Sequence, residues 1–301
     1  VEKNARREGL TRTGAMRVSV LGSGSGGNAT LVESGGTRLL VDAGFSARDL
    51  ERRLAHLGVE PASIHGIVVT HDHGDHTRGM GVFSRRHGTP LYITDPTRRA
   101  CGAVLRGGER TVPYTPGRPF PIGPLRIEPF LTAHDAADPV GVAVVEESSG
   151  LRLGVATDLG RPTAQMIHAL SGSHFLILEA NHDEGMLHGA PYPWSVKSRI
   201  AGSHGHLSNG AAARLAVDLL HPGLAGVVLA HLSTQANRPD LARSVVGQAL
   251  FTAGYRGFLD VAKQEEPTAF FDVHALLRRL EPQQLGLFQA ASPPEGHGSA
   301  S

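Results

Sequence analysis

Three imidazoles and two carboxylates fall within the six residues His71-Asp72-His73-Gly74-Asp75-His76. The chain holds 17 histidines, and random placement would produce the spacing His-x-His-x-Asp-His only about 0.002 times in a sequence of this composition. So dense a polar set cannot be satisfied inside an apolar core, whereas a divalent metal ion takes mixed nitrogen and oxygen ligands of this kind. The apolar run Ile67-Val68-Val69-Thr70 leads straight into the motif. A buried strand that delivers metal ligands from its carboxyl end is therefore expected.

Four ligands do not complete two metal shells, so further donors must converge from elsewhere. They recur in the same local setting: His134 closes the run IEPFLTAH, Asp158 closes LGVATD, His231 closes GVVLAH and Asp42 closes TRLLVD. Each polar side chain sits just past an apolar strand, the edge at which open α/β sheets bind ligands. With no cysteine in the set, zinc, manganese and iron(II) all fit, and the sequence does not choose among them.

The elements that would carry these residues alternate between short β-branched or leucine-rich runs and helical patterns, the signature of a layered α/β fold. Strands are expected at 17–21, 29–33, 37–41, 64–70, 90–93, 125–131, 140–146, 152–156, 175–178, 225–230 and 257–261. Helices are expected at 47–57, 78–87, 97–105, 163–170, 194–200, 209–220 and 239–253. The first three strands read as a meander, because Ser34-Gly35-Gly36 is a turn. The Gly-rich stretch 22–27 lacks the Lys-Ser/Thr of a P-loop and leads into a strand, so it is read as a turn that lets backbone approach a neighbour closely.

Residues 1–15 and 282–301 are polar or rich in Pro, Gly, Ser and Gln, so both are expected to be disordered around one domain at 16–281. The single Cys101 cannot form an intrachain disulfide. No apolar run approaches a membrane span and no signal-peptide pattern opens the chain, so a cytoplasmic protein without a membrane partner is expected. Net charge is +1, and 26 of the 29 basic residues are arginine. Segment 78–126 carries nine arginines against Asp95 and Glu109, either a phosphate-contacting surface or a solvated face.

The stretches SVLGSGSGGNATLVE, THDHGDH, AHDAADPVG, ATDLG, LEANHD, YPWSVKSRI, GHLSN and LAHLS resemble the metallo-β-lactamase superfamily of hydrolases, and within it the bacterial YycJ (WalJ, VicX) family, from about Met16 to Val261. The resemblance implies a four-layer αβ/βα sandwich and two divalent metal ions. It places His71, His73 and His134 on one ion, Asp75, His76 and His231 on the other, and Asp158 between them. Asp42 lies outside that set and is expected to orient His71 or His76. Glu179 and His206 resemble the Glu and His that protonate the leaving group in the RNA-processing branch, although LEAN matches its HEAT segment only at Glu and Ala. Asp75, Glu179 and His206 are the residues expected to act in catalysis. His182, Asp183 and Asp135 are candidates to line the pocket, and Lys197 and Arg199 to contact a phosphate.

A dinuclear centre of this kind supplies a bridging hydroxide as nucleophile. The resemblance implies a phosphodiesterase acting as a 5′-to-3′ exonuclease on double-stranded DNA. A thioester or lactone hydrolase and an RNA-processing nuclease are the alternatives, because metal motif and fold do not name a substrate.

Overall fold

The computed structural model describes residues 16–280; the disorder expected at 1–15 and 282–301 lies outside the described residues. The first sheet is built from β1 (Arg17–Gly22), β2 (Ala29–Ser34), β3 (Thr37–Val41), β4 (Gly66–Val68), β5 (Leu91–Ile93) and β6 (Thr111–Pro113). The second takes β7 (Phe120–Ile122), β8 (Leu125–Leu131), β9 (Val140–Glu146), β10 (Arg152–Ala156), β11 (Phe175–Glu179), β12 (Gly226–Ala230) and β13 (Phe258–Val261). A last strand, β14 (Phe271–Asp272), returns to the first sheet beside β1. The helices are α1 (Ala47–His56), α2 (Gly74–Thr77), α3 (Met80–His87), α4 (Asp95–Ala100), α5 (Ala164–Leu170), α6 (Glu184–Gly189), α7 (Trp194–Ile200), α8 (Asn209–Asp218), α9 (Pro239–Thr252) and α10 (Val273–Leu280).

Alternation along each strand divides the apolar side chains between two faces. On β12, Val228 enters the core between the sheets, with Val20, Val41, Val144 and Phe175, whereas Val227 and Leu229 pack outward against α5, α8 and α9. On the first sheet, Leu40, Ile67 and Val69 likewise face Leu50, Leu54, Met80 and Phe83 of α1 and α3. The result is a four-layer αβ/βα sandwich, as the sequence led us to expect.

Strands β3 to β6 pair in parallel, as do β10 to β13. Parallel pairing puts the carboxyl ends of β3, β4, β10, β11 and β12 on shared edges, and it is there that the polar residues emerge.

Several expected boundaries shift. The helix expected at 78–87 begins at Met80 as α3, and a separate turn of helix, α2, precedes it inside the metal motif. Strand β4 ends at Val68. Helix α4 starts at Asp95 because Thr94 accepts the Thr97 amide and Pro96 suits the first turn.

Candidate metal centre

Past the end of β4 the backbone passes through His71 and His73 and then closes α2, which carries Asp75 and His76. The ligand atoms of His71, His73 and His134 lie within 4.8 Å of one another, and so do those of Asp75, His76 and His231. Asp158 groups with His71 and His76 at the same spacing, standing between the two sets.

Hydrogen bonds fix which ring nitrogen each imidazole offers. His76 Nδ1 donates to Asp42 Oδ2 at 2.7 Å, His134 Nδ1 to the Gly205 carbonyl at 3.0 Å, and His231 Nδ1 to Glu179 Oε1 at 2.8 Å. His71 Nδ1 lies 3.0 Å from Thr70 Oγ1, whose own proton goes to Asp42 Oδ2. With Nδ1 carrying the proton, Nε2 is left bare on all four rings. His71 Nε2 is buried without any partner, and so is Asp158 Oδ2, which faces His76 Nε2 at 3.0 Å without hydrogen-bond geometry. His134 Nε2 in turn faces His73 Nδ1 at 3.3 Å. Lone pairs aimed at one another across buried space fit a divalent cation between them.

The electrostatics agree with that fit. Burial and the neighbouring His76 hold His71 well below the usual imidazole range, so it stays neutral. Burial works against a charge on His231, yet Asp158, Asp75 and Glu179 push it up to about 10. His76 is raised by Asp158 and Asp42 against the same burial. Without a cation, the carboxylates recruit protons onto these rings instead.

Backbone strain marks the same positions. Asp42, Asp158 and His231 adopt left-handed φ values of 64°, 59° and 55°. Each costs about 1–3 kcal/mol unless its surroundings enforce it, and all three directly follow or closely trail a strand of the site. Glycine would relieve the strain but would carry no ligand.

Glu179 is fully buried at the end of β11 and serves two imidazoles: Oε1 accepts from His206 Nδ1 and from His231 Nδ1, both at 2.8 Å. Its Oε2 takes the Leu159 and Leu207 amides. Burial opposes its charge, but these partners hold it down to about 2. His206 is raised against its own burial by Glu179. His206, His73, Asp75, Asp158 and His231 all border a cavity of about 300 Å³.

The remaining candidates sort by contact. Asp135 and Arg199 line that cavity and pair with each other at 2.6 Å. Asp183 instead caps α6, accepting the Met186 amide, and His182 is buried away from the cavity lining. Lys197 donates to the His188 carbonyl. In segment 78–126, Arg85 pairs with Glu109, Arg86 with Glu51, Arg98 with Asp95 and Arg126 with Glu128 and Glu147. Acids from outside the segment thus meet two of its nine arginines, Arg86 and Arg126.

Three contributors escaped sequence reasoning. Asn28 Nδ2 reaches Asp75 Oδ2 at 3.2 Å and His76 Nε2 at 3.1 Å, and Ser23 Oγ accepts the His231 amide at 2.8 Å. Asn181 Nδ2 donates to the His231 carbonyl. The Gly-rich stretch that ends at Asn28 was the available signal, since close backbone approach is what it provides. Gly44 completes this packing: a Cβ there would lie 1.6 Å from the Asp75 carbonyl oxygen.

Comparison with known proteins follows the same lines. Residues 37–231 match the β-lactamase superfamily domain. The chain is 34% identical over 242 residues to exodeoxyribonuclease YycJ of Bacillus anthracis, covering 80% of this chain and 91% of that protein. It is 31% identical over 243 residues to exodeoxyribonuclease WalJ of Streptococcus pneumoniae, covering 79% and 89%. The crystal structure of the metallo-β-lactamase fold protein YhfI from Bacillus subtilis superposes with a TM-score of 0.66 at 20% identity, over 85% of this chain and 99% of that one. The chain belongs to the metallo-β-lactamase superfamily and is a metal-dependent hydrolase. Within the superfamily it groups with the YycJ and WalJ proteins.

Proposed function

We propose that the protein is a dinuclear metal-dependent phosphodiesterase that degrades double-stranded DNA as a 5′-to-3′ exonuclease. The observation that carries the reading is the pair of three-ligand clusters with Asp158 between them, next to a Glu179–His206 pair that faces the same cavity. His71, His73 and His134 hold one ion, Asp75, His76 and His231 the other. Two divalent ions there supply Lewis acidity toward a phosphate and a nucleophile derived from water near neutral pH.

The protein's own groups do the rest. Asp42 holds His76 in the tautomer that presents Nε2, and Glu179 does the same for His231. His206, anchored through Nδ1 on Glu179, turns its other nitrogen to the reacting phosphate and protonates the departing 3′ oxygen. A nucleotide oxygen is a poor leaving group and needs that proton, whereas a thioester or an activated lactone does not. Similarity to exodeoxyribonucleases over most of both chains supports DNA as substrate.

The test is to incubate metal-loaded protein with end-labelled duplex DNA, single-stranded DNA, RNA and a thioester panel. Mononucleotides released from the 5′ end of the duplex are expected. Turnover confined to RNA would move the assignment to the RNA-processing branch, and turnover confined to thioesters would overturn it.

A further inference from the structure

We propose that Gln284-Leu285-Gly286-Leu287-Phe288 is a docking peptide for a DNA sliding clamp, a protein ring that encircles duplex DNA. The choice of a DNA-bound ring rests on the nuclease reading above.

Helix α10 leads into this stretch, and its own apolar side chains are already engaged. Val273 is fully buried, Leu276 and Leu277 pack on the core between the sheets, and Leu280 borders a groove with Leu224 and Tyr255. Leu224 and Tyr255 precede β12 and β13, whereas Glu179 ends β11 and His231 follows the carboxyl end of β12. The chain therefore leaves α10 at the edge opposite the metal centre. A partner bound just beyond it leaves the cavity open to DNA.

The chemistry of the stretch selects the partner. Among residues 282–301, Leu285, Leu287 and Phe288 are the large apolar side chains, and no charged residue stands between Glu281 and Glu295. Without Lys or Arg the stretch has no grip on a phosphate backbone or an anionic membrane. Its Pro, Gly, Ser and Gln neighbours cannot bury three large apolar groups. A protein groove can, taking Leu287 and Phe288 in an apolar pocket while the Gln284 amide, both donor and acceptor, sets the register. The order Gln-Leu-x-Leu-Phe suits the client groove of sliding clamps. From Leu280 to Phe288 the chain spans at most about 28 Å. Tethering at that length raises the effective concentration of enzyme on clamp-bearing DNA into roughly the millimolar range.

The experiment measures binding of the full-length protein to a purified bacterial sliding clamp by surface plasmon resonance, with L287A/F288A as the variant and a synthetic peptide of residues 281–290 as competitor. Expected are saturable binding, displacement by the peptide, and at least about tenfold weaker binding by the variant. On naked linear duplex the variant should digest DNA like the parent, and it should lose any stimulation by clamp loaded on the DNA. No binding to the clamp, or equal binding by the variant, overturns the proposal. So does a loss of thermal stability in the variant without clamp binding, which would seat the stretch in the protein's own Leu224–Tyr255 groove. Clamp binding by a protein that leaves duplex DNA intact would retain the peptide's role and remove the exonuclease reading.

Discussion

Two groups of histidines stand at opposite edges of the sandwich, one below the second sheet and one where the strand ends of both sheets meet. At the lower edge His174 and His221 have ring centroids 6.2 Å apart, and the backbone satisfies them. His174 Nδ1 accepts the Arg152 amide, His221 Nε2 donates to the Ser173 carbonyl, and His221 Nδ1 accepts the Gly223 amide. At the upper edge the rings of His71, His73, His76 and His134 crowd as closely, with centroid separations of 4.1–5.2 Å. There the nitrogens that face inward meet other nitrogens or carboxylate oxygens. Crowding of imidazoles is common to both groups. What separates a metal centre from a structural pair is the lone pair left without a donor.

The comparison breaks most severely at Asp158, the carboxylate between the two clusters. Asp158→Ala should abolish turnover and reduce metal content below the two ions per chain expected of the parent by elemental analysis, while circular dichroism stays native. A fully active parent carrying one ion or none would remove the dinuclear assignment. Asp42→Ala acts one layer out, by freeing the His76 tautomer, and should weaken metal affinity by roughly 10–100-fold without touching a ligand.

Next in size is His206. If it is the general acid, His206→Ala should keep both metals and lose roughly 10²–10⁴ in rate on DNA. A p-nitrophenyl phosphodiester, whose leaving group departs unaided, should recover most of that loss. Equal losses on both substrates would make His206 a positioning residue. Glu179→Gln cannot serve as a milder copy of this variant, because Glu179 also orients His231. It should lose metal as well as rate.

Much of this site was legible in the sequence. The candidate ligands stand past the ends of strands three to seven residues long, and such short strands survive because both faces of each sheet are covered. Strands β6, β7 and β14 were missed; they are two or three residues long and two contain proline, so tertiary pairing rather than local preference makes them. Asn28 was missed for a related reason. Its contact with Asp75 joins positions 47 apart, and no periodicity encodes it. The pairing of Arg86 and Arg126 at 78–126 was likewise hidden, because Glu51, Glu128 and Glu147 reach them only in the folded chain.

Arg199 offers a smaller effect with a sharper reading. It lines the cavity while paired to Asp135, the residue after His134. As a phosphate contact, Arg199→Ala should raise KM for DNA about tenfold with kcat nearly unchanged, and Asp135→Ala, which releases the guanidinium, should not. If the pair merely pins α7, both variants should behave alike. Steady-state kinetics on duplex DNA separates the two.

The smallest effect belongs to the lower edge and checks the comparison from its structural side. Burial, with help from His221 and Arg152, lowers the pKa of His174 from its ordinary 6.5. The neutral ring is the folded form, since Nδ1 must accept the Arg152 amide at 3.0 Å. A folded pKa below the unfolded one means that the unfolded chain binds the extra proton first. This contribution is therefore complete above about pH 6.5 and is lost as the pH falls through the depressed folded value. Because the ring is half exposed, the amount is at most about 1 kcal/mol. His174→Asn keeps an acceptor near the Nδ1 position but cannot titrate. Its unfolding free energy, followed by urea titration between pH 7.5 and 5, should fall less steeply than that of the parent. Metal should be left in place and DNA turnover unchanged, because nothing at this edge aims a bare lone pair at a neighbour. An identical pH slope in the two proteins would show that the Arg152–His174 bond carries no linkage, and loss of metal would break the distinction between the two edges.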